Sequence, residues 1–184
     1  MLLPMTPDLL DEHGRPTPAT TFLLVHRALR RDLVLLRAAA AAASEPDDGQ
    51  VGWVLERWGV FRRVLTDHHR SEDERLFPAL RAAEPGLGPV LAVLDAEHAG
   101  LDAALDRAEA ALDALPAGAG EAAAEIAVLA RDLDAHLARE EEHLVPVMLR
   151  GGGGPPAGGG GPDEAVRRWV AEGLEPAVVA ALTR

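Results

Sequence analysis

The chain has no cysteine, no lysine and no tyrosine, and aromatic residues make up only 3% of its 184 residues. Without cysteine there is no disulfide, no thiolate zinc site and no cysteine-bound iron–sulfur cluster, so any metal must be held by nitrogen and oxygen. The lack of tyrosine excludes a tyrosyl-radical role. Few aromatics and abundant alanine favour tightly packed helices over a β-sandwich.

Positive charge is also scarce, because 18 basic residues, all arginine, face 30 acidic ones and give a net charge of −12. This balance argues against a nucleic acid or an anionic membrane surface as partner. The opening segment MLLPMTPDLLDEHG has neither a basic start nor a long apolar run, so it predicts no signal peptide and no membrane span. We therefore expect a cytoplasmic location.

Turn-rich breaks divide the rest of the chain into long helical stretches. We predict four helices, and short connections between them favour an all-α, up-down-up-down four-helix bundle. The predicted helices span about 20–43, 51–83, 90–115 and 121–149. The predicted organisation is an irregular arm at 1–18, the bundle at 19–150, a Gly/Pro-rich linker at 151–162 and a C-terminal helical segment at 163–184, interrupted at Pro176.

Two passages of the second and fourth predicted helices nearly repeat each other. The first is HHRSEDERLFP, from His68 to Pro78, and the second is HLAREEEHLVP, from His136 to Pro146. In each, a carboxylate follows the first histidine by four residues, as Glu72 and as Glu140. Residues four apart share one face of a helix, so each passage directs an imidazole and a carboxylate at the same neighbour.

The first and third predicted helices each carry one histidine inside an apolar stripe. His26 lies between Phe22 and Leu29, and His98 lies between Leu94 and Leu101. Every helix thus has a histidine in its apolar seam, and two helices add a glutamate. The chain is predicted to be a duplicated helical hairpin with a pseudo-twofold set of polar groups.

Buried carboxylates are costly unless a charge compensates them, and a cation bound by imidazole and carboxylate together does so. Four nitrogens and two carboxylates exceed the needs of one tetrahedral zinc but suit two ions bridged by the carboxylates. The nitrogen-rich set favours iron, with manganese as an alternative, over calcium or magnesium. The alternative without a metal is that each histidine is a hydrogen-bonded core residue and that the glutamates belong to solvated acidic runs.

A ferritin-like di-iron site is the structural competitor, and it needs Glu-x-x-His on two helices. Glu140 and His143 have that spacing, but Arg75 stands where the first passage would need its histidine. The spacing therefore argues against a ferritin-like site.

With these motifs the chain resembles the hemerythrin-like, or HHE cation-binding, domain over about residues 20–150. The matching residues are His26, His68, Glu72, His98, His136 and Glu140, and the LFP and LVP tails are similar too. The resemblance implies a four-helix bundle with two non-haem iron ions, bridged by carboxylates and an oxo or hydroxo group. It also implies binding of dioxygen, nitric oxide or peroxide.

The chain departs from oxygen carriers of that family, which have two histidines four apart on the third helix. Here His98 has Leu94 and Asp102 at those distances. Four imidazoles instead of five predict a more open site, which favours iron oxidation, peroxide turnover or nitric oxide binding over carriage. Further ligands are left open: Asp95, Asp102, His69, Glu141 and His143. His69 is expected to flank the site, because it lies about 100° from His68 around a helix.

The predicted function is a non-haem di-iron protein that binds or reacts with dioxygen, nitric oxide or peroxide for sensing, storage or detoxification. The alternatives are a catalase-like enzyme that decomposes peroxide, or an iron-responsive regulatory bundle that signals through its C-terminal segment. The apolar face of that segment is expected to dock on the bundle or on a partner. The sequence leaves open whether the protein forms a homodimer.

Overall fold

A computed structural model describes residues 9–43, 48–151, 164–174 and 176–182 of the chain. The described residues are helical apart from short turns and one isolated β-bridge between Leu10 and Pro16 in the N-terminal arm. The all-α prediction is therefore confirmed. The predicted linker beyond Gly151 and the first eight residues of the arm lie outside the described residues.

Seven α-helices are described, with a π-helical segment inside the second long one. Their bounds are α1 Thr20–Ala42, α2 Asp48–Ser71, the π segment Glu72–Leu76, α3 Phe77–Ala83, α4 Gly88–Leu112, α5 Ala119–Leu149, α6 Glu164–Ala171 and α7 Pro176–Leu182. A short 3₁₀ turn, Pro85–Leu87, precedes α4. The four long predicted helices thus lie within a few residues of their expected bounds.

The second long helix differs from the prediction in its middle, where the backbone widens into the π segment. The amide of Phe77 donates to the carbonyl of Glu72, five residues back instead of four. Pro78 follows directly, and its ring and missing amide disturb a regular α-helical ladder at this point. Single π turns of this kind are frequent at functional sites.

The long helices close into a four-membered ring around one interior. Helix α1 packs against α2 and α5, and α4 packs against α5 and α2. This arrangement is a helical bundle, while the up-down-up-down order of its helices stays a prediction.

Two apolar clusters fill the bundle, one on each side of a polar layer. One contains Leu29, Leu65, Leu101 and Leu133, and the other contains Phe22, Leu76, Leu94 and Leu144. On each long helix the seam histidine stands in sequence between a member of one cluster and a member of the other. Leucine-rich packing therefore shields the polar layer from bulk water on two sides, above and below.

The C-terminal segment docks on the bundle through α6, which packs against α1. Trp169 of α6 is 5% exposed and belongs to the first apolar cluster, and Val178 of α7 is 4% exposed. Among the described residues, no helix is both long enough and apolar enough to cross a membrane.

Candidate metal centre

Seven polar side chains converge in the interior layer between the two apolar clusters. Five are histidines and two are glutamates, and all but one are at most 5% exposed. They come from every long helix: His26 from α1, His68 and His69 from the end of α2, Glu72 from the π segment, His98 from α4, and His136 and Glu140 from α5. All six residues predicted from the sequence lie in this layer.

Their donor atoms form two groups, each with atoms within 4.8 Å of one another. One group holds His69, Glu72, His98 and His136, and the other holds His26, His68, Glu72 and Glu140. Glu72 belongs to both groups.

Each glutamate places one oxygen toward each group. Glu72 lies with Oε1 3.3 Å from Nε2 of His68 and Oε2 3.7 Å from Nε2 of His98. Glu140 lies with Oε1 3.3 Å from Nε2 of His136 and Oε2 3.4 Å from Nε2 of His26. Both carboxylates thus span the two groups as bridging ligands of a two-ion site would.

The buried nitrogen and oxygen atoms that could bind a metal have no hydrogen-bond partner in the described structure. These atoms are Nε2 of four histidines, both ring nitrogens of His69 and all four carboxylate oxygens of Glu72 and Glu140. Buried polar atoms are rarely left unpaired, and each one costs free energy. Imidazole nitrogens and carboxylate oxygens are good donors for iron or manganese, so the residues present fit a pair of such ions.

Carboxylates outside the layer orient three of the histidines. The Nδ1 atom of His26 lies 2.9 Å from Glu141, and that of His98 lies 2.9 Å from Asp73. The Nδ1 atom of His136 lies 3.0 Å from Glu97. A proton shared on Nδ1 with a carboxylate leaves the lone pair of Nε2 pointing inward, as metal-binding histidines require.

Arginines hold two of these outer carboxylates in turn. Arg30 donates to Glu141 at 2.5 Å and to Asp134 at 2.7 Å, and Arg139 donates to Glu97. Glu141 and Glu97 therefore each have a positive group behind them. These hydrogen bonds, from arginine to carboxylate and from imidazole to carboxylate, fix the rings of His26 and His136 before any metal binds.

The neighbours of Glu72 and Glu140 make these two buried carboxylates electrostatically unlike. It raises the pKa of Glu72 well above the ordinary value, and the nearby charge of Glu140 raises it further. Burial also acts to raise the pKa of Glu140, but the close approach of His136, 3.3 Å away, and the charge of His26 outweigh it and lower that pKa overall. Without a cation, two ionised carboxylates this close repel each other, so the pair favours a single negative charge.

The imidazoles are mostly held neutral, which is the form that binds metal. Burial lowers the pKa of His68 and His98, and it lowers the pKa of His69 to about 2. For His136 burial is outweighed by Glu140 and Glu97, and its pKa is raised. Protons therefore compete weakly for His68, His69 and His98 at neutral pH.

A family model described as the hemerythrin HHE cation binding domain matches residues 17–148, which include all seven of these side chains. The chain belongs to this family. Comparison with curated proteins found no match to the chain, and comparison with solved structures found none. Domains of this family bind cations, and the His/Glu layer fits a metal site.

The expectation that this hemerythrin domain offers only four imidazoles is wrong, as is the flanking place given to His69. His69 is 4% exposed and stacks on His98 with ring centroids 4.1 Å apart. The sequence spacing is consistent with this placement of His69, because Glu72 lies roughly 40° from His68 and 60° from His69, between them around the helix. Adjacent histidines can therefore supply different groups on either side of one bridging carboxylate.

The other candidates for extra ligands lie outside the layer. Asp95 and Asp102 are exposed, and His143 is half-buried and joins neither group. Glu141 contacts the outer nitrogen of His26 and is not a direct member of either group. The sequence reasoning did not assign the outer roles of Asp73 and Glu97, which depend on contacts between different helices.

Proposed function

We propose that this hemerythrin domain binds two iron ions through five histidines and two bridging glutamates. The observation that carries the proposal is the placement of Glu72 and Glu140, each with one oxygen toward each group. Manganese suits the same donors and is the alternative metal.

The two proposed ion positions differ in their number of imidazoles. One is assigned His69, His98 and His136, and the other is assigned His26 and His68. With one oxygen of each glutamate counted, the first position has five protein ligands and the second has four, so the second is further from the six of an octahedral ion. We propose that a small ligand (dioxygen, nitric oxide or peroxide) binds at the second position.

Bound iron would supply an open coordination position and a redox couple. The protein's contribution is to orient the imidazoles, exclude bulk water and provide a carboxylate pair whose charge changes with one proton. Sensing, storage and detoxification all use these properties, so the proposal covers the three roles. A cytoplasmic location and self-association into a dimer stay predictions.

The test is anaerobic loading with ferrous iron or manganese, followed by elemental analysis of the desalted protein. We expect close to two iron ions per chain, and His68→Ala or Glu72→Ala should lower that number. His143→Ala and His13→Ala are matched controls, because neither residue belongs to the groups, and they should leave it unchanged. An iron content per chain that is the same in His68→Ala and Glu72→Ala as in wild type would overturn the proposal.

Ligand binding is tested on the loaded protein by adding dioxygen, nitric oxide or peroxide and recording near-ultraviolet charge-transfer bands. The expected result is a new band with at least one of them, weakened in His26→Ala. The absence of any spectral response from a protein with full iron content would refute the small-ligand part of the proposal.

Peroxide decomposition is a second candidate because a cavity of about 430 Å³ beside His68 carries polar side chains, among them Ser71 and Arg75. This space admits a polar molecule larger than a diatomic gas. Two peroxide molecules would yield two waters and one dioxygen, one being reduced and the other oxidised. Oxygen evolution that disappears in His68→Ala supports this role, and evolution that persists in that variant identifies contaminating iron.

A further inference from the structure

The cavity beside His68 and Glu72 reaches the candidate metal centre from the side of α1 and α2. Its volume is about 430 Å³. The apolar part of its wall is formed by Phe22, Val25, Val64, Leu76, Met148 and Val166. Five of these belong to the bundle, whereas Val166 belongs to α6 in the C-terminal segment.

The pseudo-twofold relation of the bundle is broken at this cavity. Glu97 precedes His98 and accepts a hydrogen bond from His136, whereas the corresponding residue before His26 is Val25. An apolar side chain that lines the cavity thus stands where the other half has a carboxylate. The His68 side chain is 9% exposed against 1% for His136, so the centre is open on the His68 side.

Helix α6 is anchored one turn beyond Val166 by a buried ionic network. The indole Nε1 of Trp169 donates to Oδ2 of Asp32 at 2.6 Å, and Asp32 is 0% exposed. Arg57 donates to both Asp32 oxygens, at 2.8 and 2.7 Å. Charge-assisted hydrogen bonds of this kind are among the stronger ones in proteins.

Arginines of α1 also hold the C-terminal end of α6. Arg31 donates to the carbonyls of Trp169 and Glu172, at 3.0 and 2.6 Å, and Arg27 donates to the carbonyl of Gly173 at 2.5 Å. The last carbonyls of a helix have no partner within the helix, so these cations satisfy them. The Asp32 network and these carbonyl contacts together fix the C-terminal end of α6 on the bundle.

We propose that α6 is the outer wall of the access route to the metal centre, and that Val166 sets the width of this route. Val166 and Trp169 are three residues apart and share a helix face, so the Asp32 anchor positions Val166 over the cavity. Ligands small enough to pass Val166 reach His68, and larger ones require α6 to move. The inference rests on the proposed function for its purpose, but the wall itself can be tested without metal.

The first test measures how accessible His68 is in the metal-free, full-length protein. Diethyl pyrocarbonate modifies neutral, accessible imidazoles, and peptide mass spectrometry gives the rate for each histidine, with exposed His13 as internal reference. Val166→Ala should speed modification of His68 by about threefold or more, and Val166→Trp should slow it. Arg168→Ala, an exposed position on the same helix, should leave the rate unchanged.

Equal His68 rates in wild type, Val166→Ala and Val166→Trp would overturn the proposal. So would a faster rate at His26 and His136 together with His68, because this pattern indicates loosening of the whole bundle.

The second test loosens the anchor with Trp169→Phe, which keeps a ring in the core but removes the indole donor. Losing a hydrogen bond to a charged group should raise the equilibrium constant for detachment of α6 from the bundle by about tenfold. Trypsin should then cut faster after Arg167, and His68 should be modified faster. Trp58→Phe is the matched control, because the indole nitrogen of Trp58 has no hydrogen-bond partner in the described structure. Faster cleavage with an unchanged His68 rate would show that α6 does not cover the route.

In iron-loaded protein the same variants separate this inference from the proposed function. The rate at which added azide produces its charge-transfer band should fall in Val166→Trp and rise in Val166→Ala, with iron content unchanged. If no iron binds at all, the proposed function fails, and the His68 modification rates still decide whether α6 forms the wall.

Discussion

At the scale of single residues, Glu72 and Glu140 are the two carboxylates whose burial calls for a compensating cation. Both are almost fully buried, yet their pKa values are displaced in opposite directions by their surroundings. A raised pKa means that the folded protein resists ionisation of Glu72. A bound cation reverses this cost, because it stabilises the carboxylate that the empty site disfavours.

The first prediction concerns the pH dependence of the metal-free protein. Glu72→Gln should raise its melting temperature relative to wild type, and the difference should grow as pH increases from 5 to 8. A group with a raised folded-state pKa stabilises the fold at low pH and loses this contribution as pH rises above its ordinary value of 4.5. Glutamine has no proton to lose.

Thermal unfolding followed by circular dichroism checks this prediction, with Glu74→Gln, an exposed position in the same segment, as control. A melting-temperature difference that stays flat across this pH range would contradict it. In iron-loaded protein the order should reverse, because glutamine cannot supply an anionic bridge.

The second prediction concerns Glu141, which accepts from both His26 and Arg30. Glu141→Ala should weaken iron binding by about 10- to 100-fold, because the ring of His26 loses the partner that orients it. The exposed neighbour variant Glu142→Ala should have little effect. Competition with a chelator measures both, and equal affinities for the two variants would argue against an orienting role.

At the scale of secondary-structure elements, each long helix has turns that pack in the apolar clusters and a turn that supplies side chains to the polar layer. On α5, Leu129 and Leu133 pack in one apolar cluster and Leu144 in the other, while His136 and Glu140 lie between them. The apolar turns supply the packing free energy that keeps the polar layer in place. A substitution in an apolar turn should therefore lower the free energy of unfolding more than it lowers metal binding.

The third prediction tests this division with Leu129→Ala, at a side chain that is 0% exposed. The free energy of unfolding should fall by about 2–5 kcal/mol, because the substitution leaves a cavity in the packed cluster. Urea unfolding measures this loss, and iron per chain should stay near two under native conditions. Leu55→Ala, at a side chain that is 39% exposed, should change stability by less than about 0.5 kcal/mol. A large loss of iron in Leu129→Ala would show that the two functions are not separable.

At the scale of the whole molecule, the candidate metal centre brings together side chains from four helices that are far apart in sequence. His26 and Glu140 are adjacent in space, as are Glu72 and His98. The proposed pair of ions, bound to all four helices, would stabilise the folded bundle over the unfolded chain, in which no such site exists.

The fourth prediction is that removing metal lowers the melting temperature without abolishing the helical bundle. At free metal 100 times its dissociation constant, binding adds about 2.7 kcal/mol to stability. For a domain of this size that is a shift of several degrees, on the order of 5–10 °C. Helical circular dichroism should persist at low temperature, because both apolar clusters remain packed. A melting temperature unaffected by chelation would mean that the seven side chains do not hold metal.

Much of this arrangement follows from local sequence patterns. The helix bounds, the histidines in the apolar seams and the duplicated His-x₃-Glu spacing all depend on which residues share one face of one helix. Helical periodicity determines this within a few turns, so the sequence predicts the six residues His26, His68, Glu72, His98, His136 and Glu140, along with the family.

The tertiary structure decided what depends on the mutual rotation and packing of different helices. It brought His69 into the layer, joined Glu141 to His26 and Glu97 to His136, and made Val166 part of the wall of the cavity at His68. The partners in these contacts lie on different elements, separated by as many as 115 residues. Spacing along one helix shows which way a side chain faces, but only the packed bundle determines what it meets there.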